Sequence, residues 1–340
     1  MPTPVPSRSS AASQEIKISE VARLAGVSIA TVSRVFNHHP NIRPELRQHV
    51  LSVAREHGYR PRLSQKQKHV VIITPYQAVG MAQSCVEMIL LALTREMPRH
   101  GFRLEILPAD NFERLHDMQF CAAIAIGLEA DSYAGWEDRF PVPLIVLDRQ
   151  GKAAPPNLLY LHSDEEQGMR LAIEHLYERG RRRIGCIIYG TPGLGNTDLR
   201  HRGVQKALET FGLPVEPALI QFSGSGNDRY VELVGKLLQR NVDALFCPGG
   251  HGGMVTLYAL SLYGRRVPEQ VALIATEQLA SSPYTVPPLT TISPDYEGMA
   301  ATVARLLEAH LQGKPLPKRN ISLPYRLILR ESVDGWGNAV

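Results

Sequence analysis

The chain has 340 residues, of which 44% are hydrophobic and 21% charged, with a formal net charge of +4 at pH 7. Such a length predicts two or three domains, and the composition is that of an ordinary soluble globular protein. It excludes a bilayer-spanning chain, because no apolar run approaches the roughly 20 residues needed, and a disulfide scaffold, because Cys85, Cys121, Cys186 and Cys247 lie far apart with no CxxC pair.

Residues 1–15 read as a disordered Pro/Ser/Ala tail; MPTPVPSRSSAASQ lacks the apolar core of a signal peptide. Residues 16–37, IKISEVARLAGVSIATVSRVFN, are expected to form two short helices broken at Gly26. Ile18, Val21, Ala22, Leu24 and Ala25 fall at helical spacing, as do Val32, Val35 and Phe36 after the break. Ser28 is placed to cap the second helix, and Thr31 and Ser33 follow as small polar side chains. This is the layout of a helix-turn-helix, whose second helix enters the major groove of DNA. Any αα-hairpin can carry a glycine in its turn, so charge is the second argument. From 16 to 68 there are ten basic residues (Lys17, Arg23, Arg34, Arg43, Arg47, Arg55, Arg60, Arg62, Lys66, Lys68) against three acids (Glu20, Glu45, Glu56), a net +7. The tail balances Arg8 against Glu15, so residues 69–340 carry −3. A duplex, whose attraction is mostly electrostatic, would therefore dock on this small segment.

A third helix is expected from Arg43-Pro44-Glu45 to Gly58, with Leu46, Val50, Val53 and Ala54 as its stripe; residues 61–69 read as a short basic linker. From Val70 the pattern changes to strand-like apolar runs alternating with amphipathic helices. The runs are VVIIT (70–74), LEIL (104–107), AAIAIG (122–127), PLIVLD (143–148), RIGCIIYG (183–190), ALIQF (218–222), DALFCP (243–248) and VALIAT (271–276). Helices are expected near 85–97, 165–179, 199–211, 229–239, 254–263 and 296–311. The pattern restarts near residue 183, which points to two doubly wound lobes of similar kind, with a ligand crevice at the carboxyl ends of the strands.

Three further features carry little. RGRRR (179–183) is basic enough for nucleic acid but fits a solvated helix end; PGLG (192–195) lacks the later glycine and acid of a dinucleotide fingerprint; and none of the twelve histidines forms HxxxH on a helix. No metal, cofactor or catalytic set is expected, so enzyme chemistry on a doubly wound fold stands as a remote alternative.

From Ile16 to Val333 the chain resembles the LacI (lactose repressor) family of bacterial transcription regulators. VARLAGVSIATVSRVFN, with Pro61 after Gly58-Tyr59, is similar to the family's headpiece, and IEHLYERGRRRIGCI (173–187) to the start of its second core lobe. VPPLTTISPDYEGMA (286–300) and RLILRESV (326–333) resemble its late signatures. The resemblance implies an N-terminal all-α helix-turn-helix headpiece (16–60) and an α/β core of two doubly wound lobes resembling a periplasmic binding protein (70–335). Lobe one would take about 70–161 and 291–322, lobe two about 162–290 and 323–335, with 336–340 a tail. It further implies a cytoplasmic homodimer or tetramer, expected to repress, that binds palindromic double-stranded operator DNA and closes on a small-molecule effector, a sugar or an anionic metabolite.

Carried over residue by residue, the headpiece assigns base edges to Ile29, Ala30 and Arg34, and phosphates or supporting base contacts to Ser28, Thr31, Ser33 and Asn37. Lys17, Ile18 and Ser19 would meet the backbone where the first helix begins. Arg34 has the fork to read guanine; Ile29 and Ala30 could read a thymine methyl or simply be exposed, and Thr31 and Asn37 could equally be caps. In the core, Asp148, Arg200, Gly249, Glu277 and Tyr296 match positions that touch effector in the family.

The chain also departs from that pattern. The linker is several residues short, with Lys68 at the place of the apolar side chain that wedges into the minor groove and Leu63 the one large apolar residue near it. Gly249-Gly250, inside PGGHGG, replaces a polar Asn-Asp pair; it could cradle an anion on backbone N–H groups or be a plain tight turn, with His251 a turn residue. The stretch between LEIL and AAIAIG leaves room for less than a full helix. An effector-independent or altered-effector regulator with a degenerate cleft is therefore the standing alternative.

Overall fold

The computed structural model describes residues 16–36, 42–57, 59, 68–75, 84–151, 157–224, 226, 228–277, 281–317 and 320–334. Asn37, Gly58, Pro61, Leu63 and most of the linker lie outside them. Contacts divide the chain into two compact units, residues 1–69 with 111–121, and 70–110 with 122–340.

The small unit is built on α1 (Ile18–Leu24), α2 (Ile29–Phe36) and α3 (Pro44–Glu56). Each helix is too short to stand alone, so packing must hold it. Val21, Ala22, Ala25, Val32, Val35, Phe36, Val50, Leu51, Val53 and Ala54 form one buried cluster. Between α1 and α2 the chain closes in a left-handed cap: Gly26 has φ +65°, its N–H bonds Arg23 O, and Val27 N–H bonds Ala22 O at 2.9 Å. A Cβ added at Gly26 would have no neighbour within 4 Å, so the penalty for a side chain there is conformational alone. Gly26→Ala is accordingly expected to cost about 1–2 kcal/mol, read as faster hydrogen exchange of α1 and α2 amides with the core unchanged.

The large unit carries two six-stranded sheets. The first has the order β11-β5-β4-β3-β1-β2, from β1 (His69–Thr74), β2 (Arg103–Pro108), β3 (Ala122–Ile126), β4 (Leu144–Leu147), β5 (Leu158–Ser163) and β11 (Ile321–Leu323). The second has the order β12-β10-β9-β8-β6-β7, from β6 (Ile184–Ile188), β7 (Ile220–Phe222), β8 (Ala244–Cys247), β9 (Ala272–Thr276), β10 (Thr290–Pro294) and β12 (Tyr325–Ile328). Only β12, antiparallel to β10, breaks the parallel pairing seen along the second sheet. Runs such as Ala-Ala-Ile-Ala-Ile in β3 and Leu-Ile-Val-Leu in β4 are buried throughout, because helices cover both faces of a parallel sheet. In the first lobe α4 (Ser84–Glu96) packs on α10 (Tyr296–Leu311); in the second, α6 (Glu165–Glu178) packs on α7 (Thr197–Thr210), with α8 (Tyr230–Leu238) against α9 (Gly252–Leu262).

Four strands go beyond the eight expected: β5, β10, β11 and β12. β10 is Thr-Thr-Ile-Ser-Pro and hid because it buries the hydroxyls of Thr290 and Thr291 beside a single core hydrocarbon side chain, Ile292. Thr290 Oγ1 donates to Arg330 O at 2.9 Å, Thr291 donates to Glu277, and the Thr290 N–H bonds Ser332 Oγ at 2.8 Å. β11 and β12 are short edge strands, partly exposed and separated only by Pro324, so neither shows a period. Sheet membership moves the lobe crossings as well. The chain leaves the first sheet after Ser163 and re-enters the first lobe after Pro294, later than the 161/162 and 290/291 expected, because β5 and β10 extend their sheets before the chain turns. ALIQF splits into a 3-10 turn at Pro217–Leu219 and the strand β7. The β2–β3 connection is a 3-10 segment, Ala109–Asp117, kinked at Asn111, in place of a full α-helix.

Candidate functional site

On the headpiece, burial sorts the side chains of α2 cleanly. Val32, Val35 and Phe36 are inside; Ser28, Ile29, Ala30 and Arg34 are exposed, and Thr31 and Ser33 are half-buried. Ser28 Oγ accepts from the Thr31 N–H at 3.1 Å and shares a 2.9 Å hydrogen bond with the Thr31 hydroxyl, so both also serve as the helix cap. Lys17 precedes α1 as its exposed N-cap residue, Ser19 is exposed and Ile18 half-buried against the core. Ile29, half exposed at the start of a helix with a closed core behind it, is an apolar side chain offered to a partner.

In the core, residues that follow β4 and β8 meet the starts of α6, α7 and α10 in one buried polar cluster. Asp148 follows β4 with φ +58°, a backbone conformation a non-glycine residue adopts at a cost and which aspartate tolerates better than most. It is buried, and Asn196, the residue before α7, reaches it from the other lobe. The Asn196 amide donates to the Asp148 main-chain oxygen at 3.1 Å and lies 3.3 Å from Oδ1. Arg149 turns its Nη1 to the same main-chain oxygen at 2.9 Å and its Nη2 to Glu129 at 3.3 Å.

Arg200, one turn into α7, is held by Glu165, the first residue of α6. Its Nε donates to Oε2 at 3.2 Å and its Nη2 to Oε1 at 3.1 Å. The Tyr325 hydroxyl donates to Oε2 at 3.0 Å, and the Asn196 amide lies 3.2 Å from Oε1. Burial pushes the Glu165 carboxyl up, while Arg200 and Tyr325 draw it back. Burial alone would lower the Arg200 guanidinium; Glu165, Tyr325 and Asp148 hold it firmly charged. Tyr296 opens α10 in the same electrostatic neighbourhood, near Cys85, Asp148, Arg200 and Glu165, and burial raises its phenol well above the usual range. Desolvation, then Asp148, pushes the Cys85 thiol up to about 12, which disfavours the nucleophilic thiolate.

The glycine pair has a steric reason. A Cβ on Gly249 would sit 2.5 Å from Arg200 Nη1, and one on Gly250 2.4 Å from the Tyr189 ring. Both glycines also have positive φ, 85° and 56°. They form a tight turn whose bare Cα atoms leave the space to Arg200 and Tyr189, and the Gly249 N–H is spent on Thr276 Oγ1 at 2.7 Å. Glu277 follows β9 and is buried; its Oε2 takes Thr291 and Arg330, the latter at 2.9 Å, and its Oε1 has no partner among the described residues.

A model of the bacterial regulatory proteins of the lacI family matches residues 17–62, and one of the periplasmic binding protein-like domain matches 173–333. The chain belongs to the LacI family of bacterial transcription regulators. The regulator DegA of Bacillus subtilis (strain 168) is 26% identical over 333 residues, spanning 93% of this chain and 97% of its own. The solved complex of the transcriptional regulator CelR with cellobiose matches with a TM-score of 0.69 at 26% identity, covering 94% of this chain and 100% of that one. The lac repressor dimer bound to operator and an anti-inducer shares the fold, with a TM-score of 0.66 at 22% identity over 94% of this chain and 99% of its own. This LacI-family regulator thus joins a helix-turn-helix to a two-lobed core of the effector-binding kind.

Of the five residues singled out in the core, the structure brings Asp148, Arg200, Gly249 and Tyr296 into one neighbourhood, and ties one Glu277 oxygen to Arg330 and Thr291. Sequence reasoning missed Glu165, Asn196, Tyr189 and Tyr325. One signal was present: Asp164-Glu165-Glu166 opens α6 with three acids, and only Asp164 is needed to cap it, through the Gln167 N–H at 3.0 Å. The basic run 179–183 is structural. Arg181 bonds the Asp243 and Pro268 carbonyls, Arg182 stacks 4.1 Å from the Tyr177 ring centroid, Arg183 forms a fork with Glu216 at 2.9 and 3.0 Å, and Arg179 pairs with Asp334. Among the described residues no His, Cys, Asp and Glu cluster could hold a metal ion, and no helix is long and apolar enough to cross a membrane.

Proposed function

We propose that this regulator works in the cytoplasm as a homodimer, that its two headpieces read a palindromic operator, and that a small molecule in the cleft sets its affinity. The observation that carries the reading is α2: Ile29, Ala30 and Arg34 face solvent over a complete core, on a segment with a net +7 charge. Ile29, Ala30 and Arg34 would take base edges, while Lys17, Ile18, Ser19, Ser28, Thr31 and Ser33 would position the helix on phosphates.

Self-association is supported by α9. Its eleven residues, GGMVTLYALSL, include no charge, and Met254, Tyr258 and Leu262 form an exposed stripe at four-residue spacing. A two-fold dimer would present two copies of α2 to half-sites about one helical turn apart. Cellobiose in the CelR complex, together with the Asp148, Asn196 and Arg200 groups gathered here, which can bond sugar hydroxyls, supports a sugar-like effector. Effector binding would shift the balance between lobe arrangements and so the spacing of the headpieces, with repression the expected outcome. A second reading, operator binding that needs no ligand, is favoured by the Asn196–Asp148 bridge, which already joins the lobes.

Selection of operators from random duplexes is expected to return a pseudo-palindrome. Titrating the selected site with a panel of neutral sugars should then shift affinity by about 5- to 150-fold, the usual range of allosteric coupling. A selection that converges on no symmetric site overturns the dimeric reading, and a flat titration favours the ligand-independent one.

A further inference from the structure

The effector cleft keeps its main cation occupied. Arg200's Nε–Nη2 edge is the planar fork with which a guanidinium captures a carboxylate or phosphate in two parallel hydrogen bonds. Here that edge is filled from within the chain by Glu165 at 3.2 and 3.1 Å. We propose that Glu165 is a specificity-determining charge filter, which reserves the cleft for uncharged, hydroxyl- or carbonyl-bearing ligands and rejects carboxylates and phosphates. The inference rests on the reading of the cleft as the effector site and names the class of ligand it takes.

Three observations carry it. First, the carboxylate is built in. Tyr325 packs so closely on α6 that a Cβ at Gly168 would lie 2.6 Å from its ring, and Gln167 brackets Tyr325 by donating to its carbonyl at 3.2 Å and accepting from its N–H at 2.8 Å. The Tyr325 hydroxyl then fixes Glu165 at 3.0 Å. Second, the neighbouring guanidinium is also engaged by acids: Arg149 Nη2 meets Glu129 at 3.3 Å, and its Nη1 lies 3.7 Å from Asp148 Oδ2. An entering anion would face the buried Asp148 and Glu165 carboxylates, where like charge in a low dielectric is costly. Third, Arg200 Nη1 lies against the bare Gly249 Cα, 2.5 Å from where a Cβ would stand. Glu165 thus takes the Nε–Nη2 fork, and the N–H groups left over stand against the glycine turn, in the electrostatic neighbourhood of Asp148 and Tyr296.

The test uses the full-length protein and its Glu165→Gln variant, with inorganic phosphate and gluconate as anionic probes, followed by calorimetry and thermal shift. Wild type is expected to show no saturable binding of either probe in the millimolar range. Glu165→Gln should bind at least one of them tenfold or more tightly, and Arg200→Met on that background should abolish the gain. Saturable, Arg200-dependent phosphate binding by wild type would overturn the filter, as would a folded Glu165→Gln that gains nothing. Should Glu165→Gln fail to fold, Tyr325→Phe removes one donor from the carboxylate and is expected to move anion affinity in the same direction; no gain there overturns the proposal. Anion gain in the variant with an operator response flat to all neutral sugars supports the filter while overturning the effector reading beneath it.

Discussion

Replacing Arg34 by alanine is expected to abolish base preference at one position of each operator half-site while leaving the protein as stable as before. Arg34 is exposed on α2 and makes no hydrogen bond or ion pair among the described residues, so the fold loses nothing when it goes. A bidentate arginine–guanine contact discriminates by about 1–3 kcal/mol, and a two-fold dimer makes the contact twice. Operator affinity should therefore drop by roughly 2–6 kcal/mol, or about 30- to 20,000-fold, and base substitutions at the partnered pair should then become nearly silent. Lys17→Ala provides the contrast. Its loss should weaken binding evenly across sequences and reduce the salt dependence, the signature of a phosphate contact. An Arg34→Ala protein that binds its selected operator with unchanged affinity and unchanged base preference would show that α2 docks some other way.

The second large effect is expected at α9. Tyr258 is 59% exposed and Leu262 58% on a helix without a charged residue, so Tyr258→Asp adds a charge to solvent in the free chain and buries one in any dimer that uses this face. Sedimentation should show monomers, with circular dichroism unchanged. Two tethered headpieces gain about 10²–10⁴-fold over one by effective concentration, and the monomer should lose that factor in operator affinity. A variant that still sediments as a dimer would move the interface elsewhere and remove α9 from the argument.

The headpiece was legible in the sequence because every device that makes it is local. Gly26 caps α1 within one turn, Ser28 caps α2 within three residues, and Val32, Val35 and Phe36 declare the buried face by period. Most continuous apolar strands of the core were legible for a similar reason, since burial on both faces leaves little room for polar residues; β5, Leu-Leu-Tyr-Leu-His-Ser, is buried throughout and was passed over all the same. β10 was not legible, because its Thr side chains are buried only by virtue of partners such as Arg330 and Ser332, some 40 residues away. β11 and β12 were not, because three or four residues at a sheet edge carry no period.

The cleft marks the same division. The resemblance to the family marked Asp148, Arg200 and Tyr296 as effector positions, and marked Gly249-Gly250 as a loss of polar side chains. Only the tertiary structure shows that the space is taken by Arg200 and Tyr189, and that Arg200 answers to Glu165. Glu165 opens a helix and by sequence is one more acid near a positive dipole. Its role comes from Arg200, 35 residues on, and Tyr325, 160 residues on, brought together by two sheets the chain crosses three times. What the sequence by itself determined is therefore the partner: short-range helix signals and a local excess of positive charge suffice to specify a reader of DNA. The character of the sensor was decided in three dimensions, because an ion pair spends a charge that composition counts as free, and no local pattern records which charges have been spent.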